Sequence, residues 1–244
     1  MIHDDCFNVF PKIADKSVQL ILVDLPYGQT ACDWDTKIDL NKMWEQIKRI
    51  LKPNGQVLFF TTTKFGIDLI NSNPKWFRSD MVWEKARPIG HLSAKKSLMK
   101  KHEMIYLFHN PTKPKDLNWI YNPQMVKGEP YQGRNPRLFK NIYGEKSNIR
   151  SDNITGDRYP STIIKAPSLT SNKLHPTQKP VEICEWLIKT YSNVGDLVLD
   201  FTMGSGSTVV ACINQERKYI GIEKDEKIYE VAINRIIKKE EISP

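Results

Sequence analysis

A chain of 244 residues, 40% of them hydrophobic, can bury a sizeable core and is expected to form one large α/β domain with an insertion. Its formal charge of +8 favours a polyanionic partner or an anionic surface. The four cysteines, Cys6, Cys32, Cys184 and Cys212, form no C-x-x-C pair, which argues for reduced core thiols and against a zinc site. His102-Glu103-Met104-Ile105-Tyr106 opens like a zinc-protease helix, but Tyr106 stands where the second ligand histidine is required. No apolar run of about 18 residues occurs, and Met1-Ile2-His3-Asp4-Asp5 lacks both a basic and an apolar leader segment, so a cytoplasmic protein without a membrane span is expected.

In chain order, Val18 to Val23 reads as a buried strand and ends in Asp24-Leu25-Pro26-Tyr27-Gly28. That sequence places a carboxylate, a rigid proline and an aromatic ring where ligands of open α/β sheets bind, although Pro and Gly also terminate strands with no ligand. Leu40, Met43, Trp44, Ile47 and Leu51 have helical spacing, and Lys52-Pro53-Asn54-Gly55 is a stop signal. Val57 to Thr61 reads as a second strand, followed by a helix bearing Phe65, Leu69 and Ile70. Met81 to Trp83 and Met104 to Phe108 are further strands, with a basic loop between them that contains Lys85, Arg87, Lys95, Lys96, Lys100 and Lys101. Such a run is commonly a solvated surface unless its neighbours supply a polyanion.

Periodicity fails from Asn110 to Lys173, where Trp119, Tyr121, Tyr131, Phe139, Tyr143 and Tyr159 interleave with cations including Arg134 and Arg137. The aromatic content argues against disorder, and rings with guanidinium groups on irregular loops suit base stacking and base-edge reading. Helical spacing returns after His175-Pro176-Thr177-Gln178-Lys179-Pro180, at Val181, Cys184, Leu187, Ile188 and Tyr191. The strand from Leu197 then runs into Asp200-Phe201-Thr202-Met203-Gly204-Ser205-Gly206, a turn in which glycines let backbone approach a ligand. A strand from Lys218 ends in Glu223, roughly 20 residues on, where a carboxylate can accept hydrogen bonds from a ribose. The full dinucleotide fingerprint is absent because position 209 is Val, and such turns also serve packing alone.

Together these features resemble the amino methyltransferases of DNA, in the β arrangement of motifs, and are most similar to compact bacterial and phage-borne adenine enzymes. The resemblance rests on Asp24-Leu25-Pro26-Tyr27, Leu51-Lys52-Pro53-Asn54-Gly55, Trp83-Glu84-Lys85, His102-Glu103, His175 to Pro180 and Asp200 to Gly206. It implies a doubly wound, Rossmann-like mixed sheet with helices on both faces and a permuted motif order. The catalytic half would occupy residues 1–109, a target-recognition insertion 110–173 and the cofactor half 174–244. It implies S-adenosylmethionine as methyl donor, double-stranded DNA as partner and a flipped base as acceptor, and it admits a homodimer.

By the same resemblance Asp24, Leu25, Pro26 and Tyr27 are the catalytic residues. Asp5, Cys6, Thr177, Gln178, Lys179, Asp200, Phe201, Gly204, Gly206 and Glu223 line the cofactor, with Asp5 and Cys6 facing its adenine and Thr177, Gln178 and Lys179 near its carboxylate. DNA contacts are expected from Lys85, Arg87, Lys95, Lys96, Arg134 and Arg137. Leu25 stands where proline is commonest in the family, and the carbonyl role survives that change. An acid at position 24 is typical of adenine enzymes. Cytosine-N4 methylation, a catalytically silent DNA-binding protein and a methyltransferase of RNA or protein are the rival readings.

Overall fold

The computed structural model describes residues 1–26, 38–112, 114–133, 152–166 and 178–240. Tyr27, Thr177, Arg134 and Arg137 lie outside the described residues. The chain divides into two compact units, Met1–Asn122 with Thr162–Pro244, and Pro123–Ser161.

The first unit is built on an eight-stranded mixed sheet. Its strands are β1 (Ile2–His3), β2 (Val18–Asp24), β3 (Leu51–Thr61), β4 (Phe77–Ile89), β5 (Lys100–Phe108), β8 (Ile163–Ala166), β9 (Leu197–Asp200) and β10 (Lys218–Glu223). They lie in the order β1-β10-β9-β2-β3-β5-β4-β8. All neighbours are parallel except where β5 runs antiparallel to both β3 and β4.

Alternation along these strands divides the core between the two faces of the sheet. Ile21, Val23, Val57, Phe59, Tyr106, Phe108 and Leu199 face one way. They pack on α1 (Cys6–Val9), α2 (Leu40–Ile50) and α3 (Thr63–Ser72). Leu20, Leu22, Leu58, Phe60, Ile105, Leu107 and Val198 face the other way, onto α4 (Val181–Tyr191) and α5 (Ser207–Asn214). The last helix, α6 (Glu226–Glu240), covers α5 and the turn before it through Ala232 and Ile236. This is a doubly wound α/β fold, with helices on both faces. Each wholly buried Phe or Leu contributes about 1.5–3 kcal/mol of transfer free energy, so the aromatic cluster of Trp44, Phe59 and Phe108 is a main anchor of the α2 layer.

Helix starts follow ordinary capping. Asp39 accepts the amides of Asn41 and Lys42 at 3.0 and 3.1 Å, and Thr62 accepts that of Phe65 at 3.3 Å. Strand ends depart from expectation. α2 ends at Ile50, as the Lys52-Pro53-Asn54-Gly55 stop signal requires, but β3 starts directly at Leu51 rather than at Val57 and pairs with β2 across a register irregularity. The basic stretch expected as a loop is strand at both ends, since β4 continues to Ile89 and β5 begins at Lys100, and a turn only over residues 90–99. Residues 163–166, expected within the insertion, form the edge strand beside β4. Ile164 is buried there, which gives that strand a core anchor.

The second unit is small. Strands β6 (Val126–Lys127) and β7 (Asp157–Arg158) pair antiparallel, with a further bridge between Tyr131 and Asn153. Gly156, at φ +75°, is required because a Cβ would stand 2.0 Å from the Gly128 carbonyl oxygen. Arg158 lies over the Tyr131 ring at 4.8 Å and donates to the Glu129 carbonyl at 2.7 Å. Among the described residues no helix is long and apolar enough to cross a membrane.

Candidate active site

The chain leaves β9 for β10 on one side and β2 for β3 on the other, so the sheet order reverses between β9 and β2. Ligands bind at the carboxyl ends of strands flanking such a reversal. Asp24 ends β2 and Asp200 ends β9, so both stand at that crevice. Thr202 Oγ1 donates to the Asp24 carbonyl oxygen at 3.0 Å and ties the β9 turn to the β2 end. Leu25 is buried in the core cluster that holds Val23 and Phe201.

The turn after β9 is shaped by its own hydrogen bonds. The Met203 amide donates to the Ile222 carbonyl, and the Gly206 amide to that of Met203, each at 2.9 Å. Gly204 sits at φ +51° with open space where a Cβ would project. Its amide donates to Glu223 Oε2 at 3.0 Å, while Glu223 Oε1 accepts the Asp225 amide at 2.9 Å. Gly206 adopts φ +76° and opens α5. Phe201 is buried and packs edge-on to Phe10 at 5.2 Å, so its ring backs the turn.

The amino terminus joins this edge. Ile2 and His3 pair with Ile222 and Glu223, and the Asp4 amide donates to the Glu223 carbonyl at 3.1 Å. Asp5 then caps α1 through the Phe7 amide at 2.9 Å. Cys6 is buried, and its thiol is pushed up to about 12 by burial and by Asp5. It therefore acts as an apolar filler at neutral pH.

Burial also pushes the Asp200 carboxyl up to about 7, with Asp24 and Glu223 adding to the rise; hydrogen bonds from Thr208 and the Thr202 amide oppose it. Residues 178–180 are anchored to α5: Ser207 Oγ donates to the Lys179 carbonyl at 2.7 Å and accepts from Arg235 at 3.1 Å.

The Lys179 side chain was expected near the carboxylate of a cofactor. In the structure its ammonium is bonded to Asp24 Oδ2 and lies 3.4 Å from Glu103 Oε2, and Glu103 Oε1 pairs in turn with Lys85. The reason is desolvation: both lysine side chains are only 12% exposed, and a buried ammonium takes the carboxylates within reach. Burial works against the charges of Lys179 and Glu103. The Asp24 and Glu103 carboxylates still hold Lys179 above the usual lysine range, and the two lysines hold Glu103 below the usual carboxylate range. The result is an alternating row, Asp24–Lys179–Glu103–Lys85, bordered by Phe60, 5.2 Å from Lys179, and Trp83, 5.3 Å from Lys85.

Lys85 is therefore corrected from an exposed DNA contact to a buried partner of Glu103. Arg87, Lys95 and Lys96 are exposed, as a surface role requires. Glu103 was not among the expected site residues. Its signal was present: on β5 it shares a face with buried Ile105, and an acid at an inward strand position needs a partner.

Comparison with known proteins agrees with this geometry. The model of a DNA methylase family, the N6/N4 methyltransferases, matches residues 18–234. The chain belongs to that family. The methylase is 25% identical to the type II methyltransferase M2.LlaDCHI of Lactococcus lactis subsp. cremoris, over 98% of this chain and 89% of that protein. It is 27% identical to M1.MboII of Moraxella bovis, over 91% and 90%. Among solved structures, the M1.HpyAVI–SAM complex superposes with a TM-score of 0.67 at 22% identity, covering 96% of this chain and 97% of that one. The cytosine-N4-specific PvuII DNA methyltransferase gives 0.64 at 14% identity, covering 98% and 92%. These confirm the doubly wound methyltransferase fold.

S-adenosylmethionine is the methyl donor of the methylase, and the residues present fit it. The open space at Gly204 leaves room for a ligand against backbone, and the Glu223 carboxylate ends β10 beside that turn.

Proposed function

We propose that the methylase modifies the exocyclic N6 amino group of an adenine extruded from double-stranded DNA. The observation that carries this reading is Asp24 at the switch-point crevice, its backbone carbonyl tied to the glycine-bearing turn through Thr202 and its carboxylate held by Lys179. The amino lone pair of adenine is delocalised into its ring, so the nitrogen must be drawn toward tetrahedral geometry before it can attack. In this reading Asp24 and the Leu25 carbonyl accept its two hydrogens, Pro26 keeps the turn rigid and Tyr27 stacks on the base. Bound S-adenosylmethionine supplies an electrophilic methyl group on its sulfonium. Gly204 and Gly206 give it backbone approach and Phe201 backs that turn. Glu223 accepts from the ribose, Asp5 and Cys6 border the adenine side, and Thr177 and Gln178 border the methionine side. Holding nitrogen and methyl in line removes much of the entropic barrier.

Lys179 and Glu103 set the charge around Asp24. A lone ammonium beside Asp24 would oppose the positive charge that builds on the acceptor nitrogen, and Glu103 offsets it. Extruding the base costs a few kcal/mol of stacking, which exposed cations such as Arg87, Lys95 and Lys96 help offset through phosphate contacts. Asp24 favours adenine because an acid at that motif position is typical of adenine enzymes. The type II names of the relatives suit a modification enzyme that accompanies a restriction endonuclease.

The test is to express the wild type or Asp24→Ala in a methylation-deficient host and map modified bases in its plasmid by single-molecule sequencing. Methyladenine at one short motif, present only with the wild type, is expected; cofactor binding measured by calorimetry should persist in the variant. Methylcytosine at the motif would replace adenine with cytosine as acceptor, and undiminished modification by the variant would remove Asp24 from its role.

A further inference from the structure

Beyond the sheet, β4 and β5 continue as a two-stranded extension closed by a turn over residues 90–99. Because β4 runs parallel to β3, the turn projects from the carboxyl edge, the edge that carries Asp24, Asp200 and Glu223. Between Glu84 and Ile89 β4 is bulged, spending five residues where β5 spends two, from His102 to Lys100, so the turn begins about 7 Å beyond the Glu84–His102 pair at ~3.3 Å per residue. The tip is ordered by its own backbone. Ser93 donates to the Gly90 carbonyl at 3.0 Å, Ala94 to that of His91 at 3.1 Å, and Lys96 and Ser97 both to that of Ser93 at 2.9 Å.

On this ordered tip Leu92 is 93% exposed and Leu98 is 99% exposed. Arg87, Lys95, Lys96 and Lys100 flank them in sequence, all exposed, and the sequence has no acid between Glu84 and Glu103. A solvated lysine turn has no use for two large apolar side chains held in water. A surface that combines them matches a nucleic-acid duplex, whose phosphates take the cations and whose base faces take apolar wedges. A second copy of this chain fits less well, since the same cations would face one another across a symmetric contact.

We propose that this hairpin is a duplex wedge. Lys95, Lys96 and Lys100 grip phosphates while Leu92 and Leu98 enter between base steps and occupy the stack that the extruded base vacates. The proposal rests on the DNA reading above and adds the element that opens the duplex.

Wild type, L92S/L98S and K95Q/K96Q are compared on closed circular plasmid relaxed by topoisomerase I in their presence, with plasmid affinity from filter binding and methyl incorporation followed in parallel. Wedge insertion unwinds DNA, so the wild type should shift the linking number. L92S/L98S should lose most of that shift at saturating protein, and K95Q/K96Q should recover it only at higher protein concentration. Methyl transfer by L92S/L98S should fall on a paired duplex carrying the mapped motif and recover when the target base is mismatched, which a misfolded variant would not do. Equal linking-number shifts in wild type and L92S/L98S would overturn the wedge. So would leucine-dependent dimerisation in light scattering, or leucine-dependent binding to phosphatidylserine vesicles with no leucine-dependent unwinding. A leucine-dependent shift without methyl incorporation into any plasmid would instead keep the wedge and remove the methylation reading.

Discussion

An ammonium held away from water between two carboxylates keeps its proton only while both keep their charge, and Lys179 stands in that position between Asp24 and Glu103. Glu103→Gln removes one of them. Lys179 then releases its proton at lower pH, so the alkaline limb of single-turnover methyl transfer should move down. The loss of a charged hydrogen bond, about 1.5–3 kcal/mol, should slow transfer roughly 10- to 100-fold. Glu103→Asp should restore part of both, and a pH profile identical to wild type would leave Glu103 a purely structural residue. The row also marks what sequence reading can reach at this scale. Asp24 and Glu223 were legible because strand-end carboxylates have a local signature. The meeting of Lys179 with Asp24 was not, because the partners lie 155 residues apart and nothing local at either records the other.

Elements impose a different constraint, that of space between layers. Gly221 on β10 lies under the turn and α5, where an added Cβ would stand 2.5 Å from Met203 Sδ and 2.8 Å from Val209 Cγ2. Methionine can swing aside, but a β-branched valine on a helix cannot. Gly221→Ala should therefore cost about 1–3 kcal/mol and lower the Tm by several degrees, with weakened cofactor affinity because Met203 leads into Gly204. An unchanged Tm in thermal denaturation would show that the layer has slack. Buried strands such as Val18 to Val23 and Val57 to Thr61 were readable from continuous apolar runs. The outer half of β4 was not: from Lys85 to Ile89 it carries charge, proline and exposed side chains, and it is held by pairing to β5 near Lys100 rather than by burial. The edge strand at Ile163–Ala166 was hidden in the same way, since four residues with one buried side chain leave almost no period to detect.

At the scale of the whole molecule, buried ionisable groups tie stability to pH in opposite senses. Asp200 has its carboxyl raised to about 7 by burial, so the folded state binds a proton that the unfolded chain releases near 3.8. Its contribution is complete below that lower value and is lost as pH rises through about 7. Glu103, held low, contributes above 4.5 and loses its share as pH falls. Asp200→Asn should thus flatten the decline in urea-unfolding free energy between pH 5 and 8 by on the order of 1–3 kcal/mol. A slope equal to wild type would mean that Asp200 titrates normally.

The strand order carries a consequence for how the protein is made. β2 leaves the ribosome early, but the neighbour that covers one of its edges, β9, begins only at Leu197. At about 5–20 residues per second, that edge waits roughly 10–35 s for its partner. Throughout that interval an apolar strand with free amides and carbonyls is open to pairing with other nascent chains. Yield in a cell should therefore depend on translation speed and chaperone supply more than the stability of the finished sheet would indicate.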